Sequence, residues 1–270
     1  MKDAGYLPQR TTSQSFGRQM LNKVPEVTLY FWIIKVLCTT VGETAADFLN
    51  FNLKWGLVNT TWLMGGLLLV ALFFQFRARQ YGPGIYWLAV VLLSVFGTLL
   101  TDNLTDNLGI SLVTTTIVFS VALAATFLAW HAREKTLSID SIDTRSREAF
   151  YWLAILLTFA LGTAAGDLVA EKIGLGYLAS LLLFGGLIAG VAVAHFQFRL
   201  NGILAFWIAY ILTRPLGASL GDYLSQPREV GGLALGSVAI NLAFLGAILA
   251  LVVFLTITRR DAIERTAPAG

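Results

Sequence analysis

Sulfur and imidazole are nearly missing from this chain. Cys38 is the single cysteine among 270 residues, so no intramolecular disulfide can form. With only His131 and His195 beside it, a soft-ligand metal site is poorly supplied, and a bound metal would meet oxygen. Charge is also scarce. Charged residues make up 13% of the chain against 56% hydrophobic, which excludes an ordinary soluble domain. There is no Gly-x-x-x-x-Gly-Lys-Ser/Thr loop for direct nucleotide drive, and no basic stripe interleaved with aromatics for nucleic acid. The first 23 residues are polar and lack an apolar run before a small-residue cleavage site, so a secretory signal is not expected.

What the chain has instead is long apolar runs. Segments of about 20 residues, enough to cross about 30 Å of hydrocarbon, can be drawn over 28–49, 57–76, 84–105, 111–131, 150–170, 177–197, 202–223 and 232–257. Lysine and arginine divide unevenly between the two sides. Fourteen lie on the side of both termini (Lys2, Arg10, Arg18, Lys23, Arg77, Arg79, Arg133, Lys135, Arg145, Arg147, Arg199, Arg259, Arg260, Arg265), and only Lys54, Lys172 and Arg228 lie on the other. The positive-inside rule then predicts a multi-pass protein of the inner membrane with cytoplasmic termini, and anionic lipid as the counter-charge on the inner leaflet.

One pattern is written four times. A tryptophan is followed ten residues later by glycine and fifteen later by aspartate: Trp32/Gly42/Asp47, Trp87/Gly97/Asp102, Trp152/Gly162/Asp167 and Trp207/Gly217/Asp222. Each motif helix is followed by a second apolar helix. The expected fold is therefore an all-α integral membrane protein of eight transmembrane helices, arranged as four tandem two-helix hairpins in one orientation and pseudo-symmetric about the membrane normal. The organisation reads as an N-terminal cytoplasmic segment 1–23, a first half 24–133, a charged linker 134–148, a second half 149–258 and a tail 259–270. Glycines of the second helices (Gly65, Gly66, Gly185, Gly186, Gly190, Gly232, Gly236) are expected at close helix contacts. The four tryptophans are expected in the aromatic belt at the inner interface.

Steps of four residues from each tryptophan follow one helix face. They give Lys35, Thr39, Glu43, Asp47; then Val90, Ser94, Thr98, Asp102; then Ile155, Phe159, Thr163, Asp167; then Tyr210, Arg214, Ala218, Asp222. Ionisable side chains inside a membrane are costly, so their coincidence on one register points to ion handling. The competing reading is structural: an aspartate about 22 Å along the helix is near water and can cap the following helix. Asp47, Asp102, Asp167, Asp222 and Glu43 are the candidate metal ligands. Lys35 and Arg214 are candidate coupling or counter-ion groups, and Thr39, Thr98 and Thr163 supporting hydroxyls; carboxylate and hydroxyl oxygens suit hard cations. Asp106 reads as a vestibule charge, Glu171-Lys172 as a solvated surface pair, and His131 and His195 as interfacial.

The runs Lys35 to Asp47, Leu161 to Asp167 and Thr213 to Asp222 resemble a bacterial and archaeal membrane protein family built of four copies of a repeat of unknown function. The resemblance covers residues 23–258 and implies a four-repeat inner-membrane protein. Repeat two departs most, with Thr101 before its aspartate where repeats three and four have glycine. The expected function is a secondary transporter of a hard metal cation of the Mn²⁺, Mg²⁺ or Ca²⁺ class, a proton-coupled exporter without a resident cofactor. Its partners are the metal cation, protons and anionic lipid, and a homo-oligomer is compatible with it. A passive channel is the nearest alternative. An enzyme is not expected, although Asp102-Asn103-Leu104-Thr105-Asp106 could hold Mg²⁺ on a pyrophosphate lipid.

Overall fold

The computed structural model describes residues 22–261, and within them every membrane-length element is helical. The helices are α1 Leu29–Asp47, α2 Leu57–Arg77, α3 Pro83–Asp102, α4 Leu112–Glu134, α5 Arg145–Asp167, α6 Tyr177–Phe198, α7 Gly202–Ser225 and α8 Ser237–Thr258. All eight are long and apolar enough to cross a membrane. Most of segment 1–23 and of tail 259–270 lies outside the described residues. Starts are set by local chemistry. Thr28, Ser111, Thr144 and Asn201 accept backbone N–H groups as N-caps of α1, α4, α5 and α7. The helices α2, α6 and α8 instead follow left-handed Gly56, Gly176 and Gly236 (φ 76°, 81° and 79°), a conformation open to glycine. That turn delays α8 to Ser237, five residues after the expected start of the last span.

The odd-numbered helices form an inner ring in the order α1, α3, α5, α7, and the even ones form an outer shell. More than half of each inner span is buried, and less than a third of each outer span. Within a repeat, the outer helix rests little on its own inner partner. It packs on the inner helix of the following repeat: α2 on α3, α4 on α5, α6 on α7 and α8 on α1, which closes the circle.

The repeated motif explains this closure. At the waist of the ring each motif glycine takes in a side chain from the next inner helix, always the one seven residues after the tryptophan. Ser94 meets Gly42, Phe159 meets Gly97, Arg214 meets Gly162, and Thr39 meets Gly217. A Cβ at any of the four would overlap its neighbour, so the helix approach requires glycine. By contrast, Gly66, Gly186 and Gly190 of the outer helices face open space, so the expected packing role there is corrected: those faces have no partner helix.

The tryptophans are corrected as well. Trp87, Trp152 and Trp207 are buried, and each motif tryptophan stacks on the aromatic that precedes the tryptophan of the previous repeat. Phe31–Trp87, Tyr86–Trp152, Tyr151–Trp207 and Phe206–Trp32 have centroids 5.6, 5.5, 6.3 and 5.7 Å apart. The register that was expected to meet lipid meets a neighbouring helix, because these helices form the inner ring. Such pairs add about 0.5–1.5 kcal/mol each beyond their buried area.

This aromatic end is sealed from below. Lys23 makes a 2.6 Å ion pair with Glu148, both fully buried, and Trp207 Nε1 donates to the Leu137 carbonyl. Tyr81 Oη donates to Asp261 at 2.5 Å, and the backbone N–H of Glu26 donates to the Asp261 carbonyl. Burial lifts the Asp261 carboxyl above its ordinary value of 3.8, against the opposing hydrogen bond from Tyr81.

Two outcomes follow. Gly217→Val should destabilise the protein by about 3 kcal/mol, the upper end of overpacking costs. Gly186→Val should stay within about 0.5 kcal/mol, both read by thermal unfolding in detergent. A carboxyl that binds its proton more tightly when docked makes docking strongest at acidic pH and weaker as pH rises from 3.8 through the raised value. Hydrogen-exchange protection of residues 255–261, corrected for intrinsic rates, should fall over that window and become flat in Asp261→Asn.

Candidate functional site

Opposite the aromatic end, the ring opens. Asp47, Asp102 and Asp167 are the last residues of α1, α3 and α5, and each leads into one π-helical turn (Phe48–Asn52, Asn103–Asn107 and Leu168–Lys172). Such turns, which widen the backbone, recur at functional sites. In α7 the helix continues past Asp222 to Ser225 as regular α-helix, with Pro215 inside it. All four aspartates and Glu43 line one cavity of about 600 Å³. The shared register of the four aspartates leaves one site or two open, and the structure brings them to one cavity.

Two further carboxylates join them. Asp106 and Glu171 line the same cavity, and Tyr177 Oη donates to Glu171 at 3.2 Å. Of the reading of Glu171-Lys172 as a solvated surface pair, the exposure holds, but the two form no ion pair among the described residues, and the π-turn brings Glu171 to the cavity wall. Both residues lie nineteen after their tryptophan, one step further along the stripe, as does Gln226, whose Nε2 donates to Asp47 at 3.4 Å. Extending the four-residue step once more would have found all three. Among the described residues, seven carboxylates and no lysine, arginine or histidine line the cavity. They are spread around it: among the described residues no three Asp, Glu, His or Cys side chains come together closely enough to hold a bare metal ion.

Beneath the cavity the axis is closed in layers. Eleven residues after the tryptophan stand Glu43, Thr98, Thr163 and Ala218; seven after, Thr39, Ser94, Phe159 and Arg214; three after, Lys35, Val90, Ile155 and Tyr210. All twelve are buried. Arg214 joins the upper two layers. Its Nη2 donates to Glu43 Oε2 at 3.0 Å, to Thr163 Oγ1 at 2.7 Å and to Thr98 Oγ1, and its Nη1 donates to the Thr39 carbonyl at 3.1 Å. One side chain on α7 thus binds α1, α3 and α5. Thr39, Thr98 and Thr163 serve Arg214 and do not line the cavity. Their hydroxyls also return to carbonyls three or four residues back in their own helices, as hydroxyls do in apolar helices.

Lys35 sits one layer lower, touching no carboxylate. Its Nζ has no hydrogen-bond partner and lies 4.2 Å from the Phe159 ring centroid and 4.1 Å from that of Tyr210, a two-sided cation–π contact. Of the two expected counter-ions, Arg214 is the one paired with a candidate ligand.

Removing one member of a buried ion pair strands the other and costs about 3–5 kcal/mol, whereas replacing both costs far less. Arg214→Met and Glu43→Gln should each lower stability by an amount of that order. The double substitution should recover much of the loss, a coupling read from a double-mutant cycle of unfolding in detergent.

Comparison with known proteins agrees with the fourfold geometry. A family model described as a repeat of unknown function (DUF347) matches residues 30–81, 85–136, 150–200 and 205–261. No curated protein and no solved structure matches the chain. Each matched segment spans one inner helix and the outer helix after it, and together the four cover most of the sequence: the protein belongs to the family built of this repeat of unknown function.

Proposed function

We propose that the protein is a proton-coupled secondary transporter of a hard cation of the Mn²⁺, Mg²⁺ or Ca²⁺ class, and that the acidic cavity is its loading chamber. The observation that carries this reading is seven carboxylates around one cavity whose lining has no cationic side chain. Such a wall gathers cations and protons and repels phosphate, which argues against the pyrophosphate-lipid enzyme even though Asp102 and Asp106 both face the cavity. The wide spacing of the carboxylates suits a cation that keeps much of its water, as Mg²⁺ does. The packed layers below favour a carrier over an open channel.

Glu43 is the link between chamber and axis, since it lines the cavity and pairs with Arg214. A divalent cation reaching Glu43 competes with the guanidinium for the same oxygens. Release of Arg214 would then loosen its hold on α1, α3 and α5 together, which is a route from cargo binding to helix movement. The excess of lysine and arginine at the aromatic end supports a cytoplasmic position for that end in the inner membrane, with the chamber facing outward.

The test is flux in proteoliposomes, with a dye for Mn²⁺, Mg²⁺ or Ca²⁺ and a pH dye in parallel. Wild type should move cation and proton in opposite directions. Asp47→Asn and Asp167→Asn should each slow cation flux about 10- to 100-fold, the worth of one charged ligand. Flux that survives both substitutions would remove the aspartates from the path.

A further inference from the structure

A second cavity lies at the aromatic end, outside the ring. It is a groove of about 410 Å³ between the C-terminal part of α4 and the N-terminal half of α7. Phe127, Trp207, Ile208 and Ile211 form its apolar body, with Phe127 and Trp207 in edge contact at 4.9 Å. Its mouth carries His131 and Lys135, and no acidic residue lines it. Neither basic side chain has an ion-pair partner among the described residues. Elsewhere at this end, crevices between helices are filled by the chain itself, through Lys23–Glu148 and Tyr81–Asp261.

The mouth also belongs to a basic collar. Lys135, Arg199 and Arg259 end α4, α6 and α8 in the left-handed conformation (φ 60°, 56° and 52°). Glycine is the usual residue there, so cationic side chains stand where backbone ease alone would select none. An apolar slot within a membrane-spanning bundle, capped by unpaired positive charge, complements one molecule chemistry: acyl chain below, anionic headgroup above.

We propose that this groove is a binding site for one anionic phospholipid, its phosphate held by Lys135 and His131 and an acyl chain lying along Trp207, Ile208 and Ile211. The site is independent of the transport reading.

Full-length protein is reconstituted in an equimolar mixture of phosphatidylglycerol and phosphatidylcholine, extracted in mild detergent and weighed by native mass spectrometry. Wild type should retain one phosphatidylglycerol in preference to phosphatidylcholine. Lys135→Gln should reduce that preference about fivefold, the contribution of one surface cation to anionic-lipid binding. Ile208→Trp, which fills the slot, should abolish retention while the melting temperature without added lipid stays that of wild type. Equal retention of the two lipids, no retained lipid, or phosphatidylglycerol that persists in Ile208→Trp would each overturn the assignment. If Ile208→Trp unfolds the protein, the Lys135→Gln preference alone decides.

Discussion

Each inner helix is held by what the next one inserts into its glycine. The four waist contacts, Gly42 with Ser94, Gly97 with Phe159, Gly162 with Arg214 and Gly217 with Thr39, bring the backbones close enough for everything above and below to follow. Toward one end, the closeness stacks each tryptophan on an aromatic of the preceding repeat. Toward the other, it points four aspartates at a common space. In a membrane, where lipid offers helices as much apolar contact as another helix does, such close backbone approach is a main source of cohesion. Tryptophan, glycine and aspartate therefore serve three levels of one ring.

The repeats share geometry but not chemistry. At the waist the inserted side chains are Ser94, Phe159, Arg214 and Thr39, and only one of them is charged. Repeat one adds Glu43 and Lys35 to its stripe, and repeat four adds Arg214, so the charge in the packed layers along the axis belongs to the two repeats that meet where the ring closes. Repeats two and three contribute hydroxyls and apolar bulk. This asymmetry places a single charged junction, Arg214 with Glu43, within a frame that is otherwise nearly fourfold, and only Glu43 of the two reaches the cavity.

Much of this was legible in the sequence, because apolar length and a strict period are strong signals. Eight spans, four repeats and the shared register of Asp47, Asp102, Asp167 and Asp222 can be drawn from spacing alone, but whether the four aspartates form one site or two cannot. Asp106, read as a vestibule charge, does line the cavity, whereas the place of Glu171 on its wall is hidden in the sequence because a π-turn, which has no simple sequence mark, carries the chain round to it. The tryptophans were misplaced for a different reason: an aromatic at a span's end looks the same whether it faces lipid or a neighbouring helix, and only the ring decides. Spacing likewise cannot reveal that an outer helix rests on the following repeat, since that depends on how the circle closes.

That closure has a consequence for biogenesis. The helix α1 packs against α7 and α8, which are synthesised after the helices between them. Its Lys35 and Glu43 enter the bilayer while the guanidinium that will hold Glu43 is still unmade, some 170 residues away in the chain. The most polar inner helix is thus made well before the partner that completes it. Until α7 is made, Glu43 has no guanidinium to pair with, and the charge on α1 waits in an incomplete ring.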